Sequence, residues 1–215
     1  MQGFTKTEIN AKKKTLHAAQ AESERVQRLR VEYWQAVAEI EPQDLIFIDE
    51  TGMNLGLSRT CARSIQGTRA YGTKPYYRGA NISLIGAISL KGFLGSMTVN
   101  GSTDGATFRV FVEKILVPCL WSGATVVMDN LSAHKVKGIS ELIEAAGAKI
   151  IYLSPYSPEL NPIESCWSKL KEYLRSVSAR TRETLELALV QGFDLMTLKD
   201  IRNWFTHCCY CTSCG

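Results

Sequence analysis

The stretch Pro155-Tyr156-Ser157-Pro158-Glu159-Leu160-Asn161-Pro162-Ile163-Glu164 fixes where a helix begins, and with it where one carboxylate must sit. Asn161 suits an N-cap, Pro162 suits the first helical position, and Glu164 falls at the third, where an acid favours the helix N-terminus and can close a capping box. Beyond it Ile163, Trp167, Leu170 and Leu174 repeat at spacings of 4, 3 and 4, which predicts the buried stripe of that helix. Glu164, Ser168, Lys171 and Arg175 share another face, an acid followed by two cations.

Taken alone, Glu164 reads as a capping residue. Two further acids favour another role. Asp49 closes the apolar run Leu45-Ile46-Phe47-Ile48, and Asp129 closes Thr125-Val126-Val127-Met128. Both runs have the length and composition of buried strands, and ligands and chemistry collect just past the ends of such strands in α/β sheets. A single acid after a strand is an ordinary turn residue. Two of them, with a helix-borne Glu, favour a metal-binding triad. Glu50, which follows Asp49 directly, points to the opposite face of a strand and reads as structural.

The segments Phe47-Ile48-Asp49-Glu50-Thr51-Gly52, Met128-Asp129-Asn130-Leu131-Ser132-Ala133-His134-Lys135 and Pro155 to Glu164 resemble the three signature blocks of the DDE transposases, most of all the Tc/mariner-like superfamily in its bacterial insertion sequence six-thirty branch. Between Asp129 and Glu164 lie 34 residues, the spacing of that superfamily. The resemblance spans about residues 44 to 207. It implies an α/β, ribonuclease-H-like fold, a mixed five-stranded sheet flanked by helices. It also implies Asp49 as a bridging metal ligand, with Asp129 and Glu164 each holding one ion.

The residue types support that chemistry. Three converging carboxylates repel each other and take up protons unless a cation is present, and hard oxygen donors suit Mg²⁺ or Mn²⁺. Two ions about 3.5–4 Å apart activate a water or a 3′-hydroxyl and stabilise the leaving oxygen of an in-line phosphoryl displacement. Asn130 and His134, in the loop after the second acid, are candidates for contacts behind the ligands or to a phosphate, with loop capping as their simpler role.

Charge points to a polyanionic substrate. Net charge is only +4, yet no Asp or Glu occurs between Thr51 and Thr103, where Arg59, Arg63, Arg69, Lys74, Arg78 and Lys91 supply six positive charges. Such a stretch offsets the repulsion between acids and phosphates, although a solvated loop would have the same composition. Arg59, Arg63, Arg69, Lys74 and Arg78, with Lys135, Lys171 and Arg175, are therefore candidate DNA contacts. Trp167 is assigned to the core. No apolar run approaches the roughly 18 residues of a membrane helix and the first residues do not open a signal peptide, so a cytoplasmic, nucleoid-associated protein is expected.

In chain order, residues 1–43 form a leader in which seven Lys and Arg face six Asp and Glu, ending in a helix from about Glu22 to Ile40 that Pro42 stops. Antiparallel strands follow Asp49, with Gly52, Gly67, Gly72 and Gly79 as breakers and Asn81 to Leu90 as the clearest run. A helix from Ala106 to Leu116 ends at Pro118, a helix carrying Ile139, Leu142, Ile143 and Ala146 ends at Gly147, and Lys149 to Leu153 forms a strand. Closing helices are predicted at 183–191 and 197–206, the second with Thr197 and Asp200 as a capping box. The tail from Cys208 to Gly215 contains a lone Cys-x-x-Cys, too little for a zinc site, and is expected to be reduced and frayed.

These readings converge on a transposase catalytic domain that cuts transposon ends and joins the 3′-hydroxyl to target DNA. The resemblance adds a TA target, a homodimer in the active complex and a helix-turn-helix recognition module upstream. Met1 to Ala21 is too short for an independent core, so this chain alone is not expected to select transposon ends, and specificity would come from an upstream polypeptide, from a frameshift fusion, or not at all. A catalytically inactive DNA-binding remnant and a ribonuclease-H-like nuclease without strand transfer are the alternatives.

Overall fold

The computed structural model describes residues 19–130 and 138–211. Five strands, β1 (Leu45–Asn54), β2 (Asn81–Ser89), β3 (Gly92–Asn100), β4 (Thr125–Met128) and β5 (Lys149–Tyr152), make one sheet in the order β3-β2-β1-β4-β5. β1, β2 and β3 pair antiparallel, whereas β4 pairs parallel with both β1 and β5. This is the expected mixed sheet. The described helices are α1 (Glu24–Val37), α2 (Gly105–Phe111), α3 (Ile139–Ala145), α4 (Pro162–Val177), α5 (Arg182–Asp194) and α6 (Leu198–His207).

Unbroken apolar runs make β1 and β4 the centre of the sheet because both of their faces are covered. Successive side chains alternate, so Leu45, Phe47 and Met53 join Val127, Trp167, Leu170 and Leu174 in one core, roofed by α1, α4, α5 and α6. Ile46 and Ile48 join Val126, Met128, Phe108, Phe111, Leu116, Ile139 and Ile143 in the other. No helix among the described residues is long and apolar enough to cross a membrane.

Several boundaries differ from the sequence expectation. β1 does not stop at Asp49 but runs on through Gly52 to Asn54, because β2 continues to pair with it residue for residue as far as Asn81. Asp49 therefore sits within a strand, opposite Gly86. The helix expected up to Leu116 is α-helical only to Phe111 and then widens into a π-turn over Val112–Leu116. That turn keeps Phe111, Val112 and Leu116 all buried against the sheet. At the predicted end of α3, Gly147 adopts φ +79°, the left-handed conformation that closes a helix at low cost. α6 begins with the Thr197–Asp200 capping box, as its sequence predicts.

The tail is not frayed through Tyr210. Its ring is buried against Trp34, Phe47 and Phe205, and its hydroxyl bonds Tyr33 and donates to the Leu160 carbonyl at 2.7 Å. Apolar area and two polar partners hold a segment whose cysteines alone suggested a loose end. All six described cysteines are free.

Candidate active site

Strand register brings two of the acids together. Phe47 lies beside Val127, so two residues further along these parallel strands Asp49 comes level with Asp129, on the face that α4 covers. Glu164 stands in the first turn of α4, exposed above the same sheet face. The parallel strands β1, β4 and β5 all end on this side. The loops 55–80 and 153–161 therefore leave from the same end of the sheet as Asp129, which follows β4.

Electrostatics register the proximity. The part-buried Asp49 carboxyl is pushed up to about 7, chiefly by burial and next by the negative charge of Glu164, with a smaller push from Asp129; hydrogen bonds from the Glu50 backbone and Trp167 oppose the shift. Among the described residues no three His, Cys, Asp or Glu side chains are set to enclose a metal ion. The acids thus meet through charge without forming a closed ligand shell. Their chemistry still fits a hard divalent cation, being all oxygen donors with excess negative charge.

The Asp49 shift has a stability consequence. A folded-state value raised above the unfolded one means that the native chain binds more protons between the ordinary carboxylate range and about pH 7, so stability falls as pH rises through that window. In EDTA, Tm should be lower at pH 8 than at pH 5, and Asp49→Asn should shrink the difference. A variant with the wild-type difference would show that Asp49 is not under this strain.

The capping box expected at Asn161 does not form. The Asn161 N–H is taken by the Pro158 carbonyl at 3.0 Å, and the Glu164 N–H bonds the Asn161 carbonyl at 3.1 Å. Asn161 turns its side chain inward, and its Oδ1, like the Ser154 Oγ, is buried without a partner among the described residues. Pro162 occupies the first helical position as predicted.

Two groups that the sequence reading passed over hold this site. Trp167, assigned only to the core, is 1% exposed and donates its indole N–H to Asp49 Oδ2 at 3.1 Å. A buried indole usually seeks such a partner, which was the available signal. Arg30, on α1, donates to Ser157 Oγ (3.0 Å) and the Tyr156 carbonyl (3.1 Å) and pairs with Glu159 (2.7 Å). Tyr156 sits at φ +55°, an unfavourable conformation for a side chain of its size. Arg30 thus clamps the turn that leads into Glu164. Its two hydrogen-bond partners lie 126 and 127 positions away, so no local pattern announces it. Arg30→Ala is expected to destabilise the fold by about 1–3 kcal/mol, read as lost Tm, and Arg30→Lys to restore little because an ammonium cannot fork between these acceptors. Full recovery by Lys would refute the clamp.

The candidate DNA contacts divide. Arg59, Arg63, Arg69, Lys74 and Arg78 are all exposed on the loop between β1 and β2. Arg59 and Arg63 line an open groove of about 870 Å³ with Tyr71, Glu172 and Arg175. Arg180 anchors the base of this loop, donating to the carbonyls of Leu55 and Leu57 and to Ser58 Oγ, each at 2.9 Å. Lys171 is part-buried one turn before Arg175. Lys91, the sixth charge of the acid-free stretch, lies at the other end of the sheet over the Trp121 ring. Asn130 is exposed beside Asp129, and His134 and Lys135 lie outside the described residues.

The fold has known counterparts. The Mos1 chain of a pre-cleavage transpososome superposes with a TM-score of 0.74 at 12% identity, over 95% of this chain and 65% of that one. The catalytic domain of Mos1 mariner transposase matches with a TM-score of 0.59 at 12% identity, over 92% of each chain. The chain thus has the ribonuclease-H-like fold of that catalytic domain and spans about two thirds of the longer Mos1 chain. No curated protein matches it in sequence. The family described as DDE superfamily endonuclease matches residues 44–186, which contain all three acids, and the chain belongs to that family.

Proposed function

We propose that the chain is the catalytic domain of a DNA transposase of the Tc/mariner-like superfamily, insertion sequence six-thirty type, which cleaves transposon ends and transfers the 3′ end into target DNA. The observation that carries this reading is the placement of the three acids, Asp49 on β1, Asp129 just past β4 and Glu164 in the first turn of α4, on one face of the sheet, where Glu164 and Asp129 both raise the Asp49 carboxyl. Mos1 relatives with this fold include a paired-end complex with Mg, a strand transfer complex and a catalytic domain with Mn.

Asp49, Asp129 and Glu164 would hold Mg²⁺ or Mn²⁺, two ions in all, with Asp49 as the shared ligand. Bound there, the cations supply Lewis-acid activation of the attacking hydroxyl and charge for the leaving oxygen. The chain itself sets Glu164 at a fixed helical position and offers the cations of loop 55–80 and α4 to phosphates. Asn130, His134, Lys135 and Lys171 complete the proposed contacts. A TA target, a homodimer in the active complex and an upstream helix-turn-helix polypeptide belong to the same proposal, in a bacterial, cytoplasmic setting.

The test is cleavage of labelled transposon ends and their joining to a target plasmid, with Mg²⁺ and with EDTA. Cutting and joining in Mg²⁺ alone is the expected result. Cutting without joining would identify a nuclease that lacks strand transfer. Binding without cutting would identify an inactive remnant.

A further inference from the structure

Asp49 and Glu164 come from different elements, and one indole connects those elements. Trp167 follows Glu164 by three residues, so α4 carries both a proposed metal ligand and the group that bonds another. Its ring packs against Gly86, the residue opposite Asp49 on β2. A Cβ there would stand 2.6 Å from Trp167 Cη2, closer than van der Waals contact allows. Trp167 is 1% exposed, so its ring is enclosed by the core around it.

We propose that Trp167 is a positioning residue: its N–H fixes the rotamer and plane of the Asp49 carboxylate relative to Glu164, and Gly86 is the gap that lets it do so. This rests on the reading of Asp49, Asp129 and Glu164 as metal ligands. Partners that orient a ligand typically change metal affinity by 10–100-fold when removed. Trp121 provides an internal control. Its indole donates to Asp44 in the same manner at 2.8 Å, at the end of the sheet away from the acids.

The experiment measures Mn²⁺ binding by calorimetry on the whole chain for wild type, Trp167→Phe and Trp121→Phe. Phe retains most of the ring packing and lacks the donor. Trp167→Phe is expected to weaken Mn²⁺ binding roughly tenfold, and Trp121→Phe to leave it unchanged. Equal affinity in wild type and Trp167→Phe would overturn the positioning role while leaving the metal site standing. A wild-type chain that takes up no Mn²⁺ would overturn the metal reading itself, and this proposal with it.

A second measurement covers the case in which Trp167→Phe fails to fold. The four tryptophans give four indole ¹H–¹⁵N resonances, and the Trp167 signal is assignable by elimination from Trp34→Phe, Trp121→Phe and Trp204→Phe. It should shift on addition of Mg²⁺ and again in Asp49→Asn, while the Trp121 signal stays in place. A Trp167 signal unmoved by both would refute the proposal.

Discussion

Asp49→Ala, Asp129→Ala and Glu164→Ala should each abolish Mg²⁺-dependent cleavage, by roughly a thousandfold or more, with the fold retained. A hard cation at a transferring phosphoryl group is worth several kcal/mol of transition-state stabilisation, and each 1.4 kcal/mol is about tenfold in rate. Folding should suffer little because none of the three supplies apolar packing: Glu164 is exposed, and Asp129 and Asp49 lie at the rim of the core. For Asp49 the change should even relieve strain, since burial and two negative neighbours already push its carboxyl up to about 7. Cleavage assays beside thermal melts decide the matter. A variant that cleaves at near wild-type rate removes its residue from the site, whereas a variant that fails to fold would show that its carboxylate is structural.

The positions of the candidate site residues are legible in sequence wherever local pattern sets them. Apolar runs ending in Asp49 and Asp129 could be read because strands buried on both faces are continuous in sequence, and Pro162 marks a helix start wherever it occurs after a suitable cap. Strand length was less legible. Gly52 looks like a breaker, yet the β2 ladder carries β1 past it, and cross-strand pairing is invisible in a single segment. Asn161 shows the same limit at a cap, where tertiary burial turns its side chain inward and backbone bonds take over.

The supports of the site come from long-range contacts and had little or no signal. Arg30 reaches Ser157 from a helix that pattern alone assigns to packing, and Tyr210 reaches Leu160 from a segment that composition assigns to a loose tail. Both grip the turn before Glu164. Trp167 and Gly86 carried signals that could have been used: an indole in a buried stripe needs a polar partner, and a glycine inside a strand marks a close approach. Read jointly, they connect the helix bearing one acid to the strand bearing another.

Neutralising Arg59, Arg63 and Arg175 together should weaken binding to every DNA sequence and flatten its dependence on salt. The three line one groove, two from the loop after β1 and one from α4, so they can follow a single backbone where scattered charges could not. Each phosphate contact contributes about 0.9 to the slope of log affinity against log salt. Loss of three should therefore reduce the slope by up to about 3, and cost of the order of a hundredfold in affinity at moderate salt. Base preference should stay as it was, because phosphate contacts position the duplex without reading it. Glu172 lines the same groove, and its replacement by Gln should act in the opposite direction by removing a repulsion. Lys91→Ala is the control, since that ammonium sits on Trp121 at the far end of the sheet. If the triple variant kept the wild-type slope, or if Lys91→Ala reduced it equally, the groove would not be the DNA path and the cations of loop 55–80 would be no more than a solvated surface.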